Sequence, residues 1–332
     1  MPDTYDHITL MCRLKAAQRR NKELESGERY IQLEELHQKE YNVYEHKIEK
    51  LKKELADAHK ETIRVRNYWL QVLEDMLREF ALKTEPERRS AYADMLLSPV
   101  MHTDCTNARE NGKSCQVYVC ATPDGKALYF AREKKGHEGV KGTVTEDYQG
   151  ILVHDHDITF YNYGADHQEC LAHVLRYLKA SMENEPDRTW NKKMHALVQE
   201  MVHFRNGCRQ PHGPDPEIVS GFEKRYREIL ETARKEYEDI PANDYYKDGY
   251  NLFLRMEKYM HNHLLFLHDI RVPATNNEAE RLLRNYKRKQ VQAVTFRSFE
   301  SIDYLCQCMS MLVLMRLEDT ANIYDRVSRI FG

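Results

Sequence analysis

The chain has 332 residues, 41% of them apolar and 31% charged, which excludes a disordered tail and leaves room for one large domain or two smaller ones. A net charge of −3 excludes a uniformly basic nucleic-acid binder, so any DNA contact must come from a local patch. The eight cysteines form no Cys-x-x-Cys pair, which argues against a zinc ribbon and, at this length, against a disulfide scaffold.

Residues 1–40 are polar and carry no readable motif. Positions 1–15 lack a basic-then-apolar signal layout, and no apolar run approaches the roughly 18 residues a membrane helix needs. A cytoplasmic protein without membrane contact is expected. From Tyr41 a seam takes over: Tyr41, Tyr44, Ile48, Leu51, Leu55, Ala58, Thr62, Val65, Trp69, Val72 and Met76 follow alternating steps of three and four. This is either a coiled coil or a long amphipathic helix lying on its own domain. A coiled coil would make residues 41–76 the route to a homo-oligomer.

Pro86 and Pro99 bracket a short helix, after which the pattern becomes strand-like over 100–104, 114–121 and 127–133. Pro123-Asp124-Gly125 marks the turn joining the last two. A helical piece near 140–148 precedes a short apolar strand, Ile151-Leu152-Val153-His154-Asp155. Asp104 and Asp155 thus each end a strand. His154-Asp155-His156-Asp157 also matches the His-Asp pairs of metal-dependent phosphohydrolases. Strand alternation, however, turns both histidines away from Asp155, which makes them surface or supporting residues. Asp157 is the fallback acid.

Cys170-Leu171-Ala172-His173 follows. Alone it falls short of the four ligands of a structural zinc site. Residues 174–270 read as helices broken at 184–186, 210–216 and 240–243, with Leu252, Met256, Tyr259, His263 and Leu267 as an apolar stripe. Trp190 reads as core.

The stretch from Val272 to Arg281 reads as a helix start. Thr275 and Glu278 have the spacing of a capping box, which would leave Glu280 uncommitted one turn into the helix. Arg281, Arg284, Lys287, Arg288, Lys289 and Arg297 follow with no acid before Phe299. A free carboxylate ahead of a basic helix suits a site that holds a cation beside a phosphate backbone; an ordinary solvated basic helix is the alternative. The final stripe, Ile302, Leu305, Met309 and Leu312, predicts a helix buried on the sheet.

Asn276-Asn277-Glu278-Ala279-Glu280-Arg281 resembles the signature of the insertion-sequence-66 class of bacterial DDE transposases. The resemblance spans roughly residues 98–320 in the order Asp104, Asp155, Cys170-x-x-His173, Glu280. It implies an α/β fold: a ribonuclease-H-like core (96–173 and 271–332) interrupted by an all-helical insertion (174–270) and preceded by a long N-terminal helix or coiled coil (1–95). It implies Asp104, Asp155 and Glu280 as ligands of two Mg²⁺ ions, with Mn²⁺ as substitute, and His173 near them. The implied activity is metal-dependent cleavage and strand transfer of transposon ends into target DNA, in the nucleoid, with accessory proteins of the same element as possible partners.

Two departures qualify the match. Asp104-Cys105-Thr106 stands where the family usually has Asp-Glu-Thr, and no glycine follows Arg297-Ser298. Longer members also carry a zinc-binding cysteine cluster and a helix-turn-helix that this chain lacks, so end recognition is expected to need a further portion or a partner. The alternative reading is a truncated or decayed relative that oligomerises and binds DNA without cutting.

Overall fold

The computed structural model describes residues 3–208, 213–242, 247–293, 296, 298–317 and 322–332. The chain divides into two compact units, 1–73 and 74–332. The first holds α1 (Asp3–Glu25) and most of α2 (Glu28–Lys83). Dense Lys and Glu support α2 through pairs three or four residues apart, such as Lys52 with Glu49 at 3.2 Å and Arg64 with Glu61 at 3.0 Å. Seam residues from Tyr41 to Met76, among them Ile48, Leu51, Leu55 and Trp69, stand exposed. Thr62, the odd member of the seam, bonds back to the Ala58 carbonyl at 2.8 Å.

The second unit is built on one five-stranded mixed sheet in the order β3-β2-β1-β4-β5. Its strands are β1 (Val100–Glu110), β2 (Lys113–Ala121), β3 (Ala127–Arg132), β4 (Ile151–His154) and β5 (Asp166–Glu169). β1, β2 and β3 are antiparallel, while β4 and β5 run parallel to β1. α3 (Glu85–Leu96) lies between the two prolines, with Pro86 in its first turn, where a missing N–H costs nothing. The turn at Pro123-Asp124-Gly125 closes β2 to β3, with Gly125 N donating to the Thr122 carbonyl at 2.9 Å.

Three elements differ from the sequence expectation. β1 does not stop at Asp104 but runs to Glu110, because Asn111 and Gly112 (φ 47° and 88°) form a two-residue hairpin turn into β2. Both positions need a positive φ, and Asn-Gly tolerates it best. The helical piece near 140–148 is two single turns, α4 (His137–Val140) and α5 (Val144–Asp147). β5 has the sequence Asp-His-Gln-Glu, with no apolar residue to mark it. Its buried Gln168 accepts from Phe266 N at 2.8 Å and donates to the Glu169 carbonyl at 2.8 Å.

Helices then cover the sheet. α6 (Leu171–Asn184), α7 (Trp190–Gly207), α8 (Pro216–Asp239), α9 (Asp248–Lys258) and α10 (Met260–His268) share one core with Val100 and Val153. Trp190 is fully buried in it. α11 (Asn277–Ala293) lays Ala279, Leu282, Leu283 and Tyr286 on Val117, Val119 and Ala131. These positions repeat with helical period, and each large side chain so buried contributes about 1.5–3 kcal/mol. α12 (Phe299–Leu317) packs on β3, and α13 (Ile323–Phe331) follows. No helix among the described residues is long and apolar enough to cross a membrane.

Candidate active site

Sheet register brings the two aspartates level. The parallel pairing of β1 with β4 ends at His102 opposite Val153, and two residues beyond each lie Asp104 and Asp155. Adjacent strands are about 4.8 Å apart, so the two residues stand side by side, and Asp155 bears electrostatically on Asp104. Asp104 is pushed up to about 7, first by burial, then by the charge of Asp155, with Glu280 adding to it. Asp155 is also raised, by burial and then by Asp157, with His173 and Lys135 opposing. Two buried acids held this close resist being ionised together.

Glu280, in the first turn of α11, bears electrostatically on Asp104. The capping box expected there does not form. Glu278 pairs with Arg281 three residues on instead of reaching back. Asn276, at the helix entrance, is fully buried and holds four partners. Its Nδ2 donates to the Thr103 carbonyl at 2.9 Å, its Oδ1 lies 3.0 Å from His102 Nδ1, and its backbone N donates to Cys170 Sγ at 3.2 Å. Glu280 N donates to the Asn276 carbonyl at 3.1 Å. One asparagine therefore ties the start of α11 to β1 beside Asp104 and to the start of α6.

α6 supplies His173, whose Nδ1 lies 3.6 Å from Glu280 Oε1, near enough for attraction but too far for a hydrogen bond. Burial, then Arg176, holds His173 below the usual imidazole range. Arg284 donates to Glu280 Oε2 at 2.7 Å, and Arg176 lies 3.5 Å from Oε1. Lys135 pairs with Asp157 at 3.0 Å and bears on Asp104 and Asp155 electrostatically. Sequence reading gave no role to Lys135, Arg176 or Asn276. Only Asn276 carried a signal, its place in the Asn-Asn-x-Ala-Glu-Arg motif. The Cys105 thiol is pushed up to about 12, chiefly by burial, so it adds no charge where the family usually has Glu.

His154 is fully buried, not a surface residue, with Nε2 at 3.1 Å from His167 Nδ1. His156 faces Glu169, at 3.1 Å. Of the basic positions, Arg281 and Arg284 are paired to Glu278 and Glu280, and Lys287 turns in to the Asn107 carbonyl. Arg288 and Lys289 are exposed and line a groove with Arg316 from α12. Arg297 lies outside the described residues.

Asp155 Oδ1, His173 Nδ1 and Glu280 Oε1 are buried without hydrogen-bond partners. Buried polar atoms are nearly always paired, so three orphans in one place fit a site made to receive a ligand. Two of the three are acid oxygens, the donors a hard divalent cation prefers. Cys170, His173 and Glu280 also present donor atoms within 4.8 Å of one another.

Among proteins with curated descriptions, none matches the chain. The family model described as Transposase IS66 family matches residues 27–303, which takes in α2, the whole sheet, Asp104, Asp155, His173 and Glu280. A match over most of the chain, ending within α12, leaves one conclusion: the chain belongs to the IS66 family of transposases.

Proposed function

We propose that the protein is an active DDE transposase that cuts DNA strands and joins the freed 3′ end to a target. What supports this reading is that Asp104 on β1 stands beside Asp155 just after β4, that Glu280 of α11 bears on Asp104, and that Asp155 Oδ1 and Glu280 Oε1 are buried without hydrogen-bond partners. The strand order, three antiparallel strands followed by two parallel ones, supports reading residues 96–173 and 271–332 as a ribonuclease-H-like core. Residues 174–270 are then its all-helical insertion and 1–95 its N-terminal region. The decisive experiment is incubation of the full chain with duplex DNA and Mg²⁺, with strand nicking and joining read on a denaturing gel.

Asp104, Asp155 and Glu280 would hold two Mg²⁺ ions, or Mn²⁺ in their place, and bound ions of this kind activate the attacking oxygen and stabilise the leaving 3′-oxygen. The chain's own groups prepare the rest. Arg176 and Arg284 flank Glu280 and Lys135 flanks the aspartates, so positive charge surrounds the place a scissile phosphate would occupy. His173, pushed by burial toward the uncharged form, can hold or pass a proton at Nδ1. Asn276 fixes the distance between Glu280 and the aspartates.

The basic groove of Arg288, Lys289 and Arg316 provides a phosphate-binding surface, which positions DNA without reading its sequence. Binding should therefore fall with salt and be nearly indifferent to sequence. Changing these three residues to Ala should flatten the plot of log affinity against log salt by about 0.9 for each phosphate no longer neutralised. A slope that does not move would place the DNA elsewhere.

Residues 41–76 would pair with a second copy as a coiled coil, bringing two active sites to two DNA ends in the cytoplasm or nucleoid. Ile48, Leu51 and Leu55 changed together to Asp in the full chain should yield a monomer by light scattering. An unchanged oligomer would move the interface to another surface.

A further inference from the structure

The Cys170, His173 and Glu280 cluster has a chemistry different from that of the three acids. Cys170 occupies the N-cap position of α6, without a side-chain capping bond, and His173 is three residues on. Residues so spaced share a helix face, as in the Cys and His pairs that grip zinc from a single turn. Glu280 arrives from α11 as a third donor, and all three donor atoms lie within 4.8 Å. The frame holding them is fixed by backbone bonds. Leu171 N donates to the Ala274 carbonyl at 3.0 Å, and Asn276 N donates to Cys170 Sγ at 3.2 Å. His173 Nδ1 and Glu280 Oε1 are both buried and make no hydrogen bond, though they lie 3.6 Å from each other. Arg284 occupies Oε2; Arg176, 3.5 Å from Oε1, has a largely exposed side chain that also donates to the Ala172 carbonyl at 3.3 Å.

One sulfur, one imidazole nitrogen and one carboxylate oxygen form a poor set for Mg²⁺, which prefers oxygen and octahedral geometry. They form a good set for a thiophilic divalent ion with a fourth position left to water. We propose that Cys170, His173 and Glu280 form a second cation site, selective for Zn²⁺, that shares Glu280 with the three-acid site and so switches the enzyme off when occupied. The inhibitory half rests on the proposed role of Glu280 in holding the catalytic ions. On binding, a metal–sulfur bond replaces the Cys170 S–H bond, the proton leaves to solvent, and no atom changes oxidation state. Glu280 Oε1, drawn toward the sulfur and imidazole, is then lost to the aspartates.

Co²⁺ is the probe for the site itself. Added to the purified full chain, it should give the near-ultraviolet thiolate-to-cobalt charge-transfer band, which Zn²⁺ should bleach. Cys170→Ser, which keeps a polar acceptor for Asn276 N, should lose the band. It should also weaken Zn²⁺ by more than the roughly 10–100-fold that losing an orienting neighbour of a ligand costs. His173→Gln should weaken Zn²⁺ likewise while circular dichroism shows the fold intact, and Asp104→Asn should keep the band. No band in the wild type, or an undiminished band in Cys170→Ser, would overturn the site. The switch is read by Mn²⁺ paramagnetic resonance: Zn²⁺ should release bound Mn²⁺ from the wild type at the concentration that bleaches the cobalt band, whereas Cys170→Ser should need far more Zn²⁺, enough to compete directly at the acids. Mn²⁺ retained by the wild type at saturating Zn²⁺ would overturn the switch. Neither readout requires DNA cleavage, so a chain that shows both yet never nicks DNA in Mg²⁺ would sink the transposase activity and spare the zinc site.

Discussion

Asp104→Asn, Asp155→Asn and Glu280→Gln should each reduce Mg²⁺-dependent strand cleavage by about 10³-fold or more, the scale of losing one preorganised electrostatic group at the reacting centre. Glu278→Gln, which loses only an exposed pairing with Arg281, should cut normally. A dead Glu278→Gln beside an active Glu280→Gln would refute the choice of third carboxylate. Stability should move the other way. Asp104 is pushed up to about 7 from an ordinary 3.8, by burial and then by Asp155. Between those pH values the folded chain keeps a proton that the unfolded chain has shed, so stability without metal falls as pH rises through that window. In metal-free buffer Asp104→Asn should therefore raise Tm above pH 7, by roughly 2–4 °C for each kcal/mol relieved, and change little at pH 4. A Tm gain of equal size at both pH values would mean that the carboxyl is not strained by its neighbours.

The largest loss of stability is expected at Glu169, the last residue of β5. It is fully buried and lies against four groups: Arg255 of α9, His263 of α10 at 3.1 Å, His156 at 3.1 Å and the hydroxyl of Tyr161, which donates to it at 2.8 Å. Burial alone would raise its pKa; His156, His263 and Arg255 more than reverse that and hold it well below the carboxylate range. Glu169→Gln keeps the shape and removes the charge, leaving the Arg255 guanidinium buried without its counter-ion. Breaking such a pair costs about 3–5 kcal/mol. Thermal melts should show Tm lower by roughly 6–20 °C at about 2–4 °C per kcal/mol. A drop under about 1 kcal/mol would show the cluster to be hydrated.

Much of the sheet was legible because β2 alternates. Val117 and Val119 face one core while Tyr118 and Cys120 face others, and a period of two is what sequence shows best. The long β1 was legible as well, through Asn111-Gly112, and reading Asp104 as a strand end overlooked it. β5 was not legible: it is held by the side-chain bonds of Gln168 and Glu169 to helices almost a hundred positions later, and no local pattern encodes that. The misread capping box has a similar cause. Asn276 finds better partners in His102 and Thr103 than a local cap provides, and these became neighbours only through the fold. The two aspartates were singled out by the order of strands together with the family resemblance, and the sheet sets them on neighbouring strands. The surrounding Lys135, Arg176 and Arg255 sit on loops and helices where a single basic residue carries no signal.

Asn276 also decides when, during synthesis, the site can exist. It joins β1 to a helix made long afterwards, so a ribosome exposes Asp104 and Asp155 well before it adds Glu280. At about 5–20 residues per second the interval lasts on the order of ten seconds. Through that interval the nascent chain carries two acids without the third, and a product of interrupted translation stays in that condition. Cleavage by the proposed three-acid site would therefore await completion of nearly the whole polypeptide.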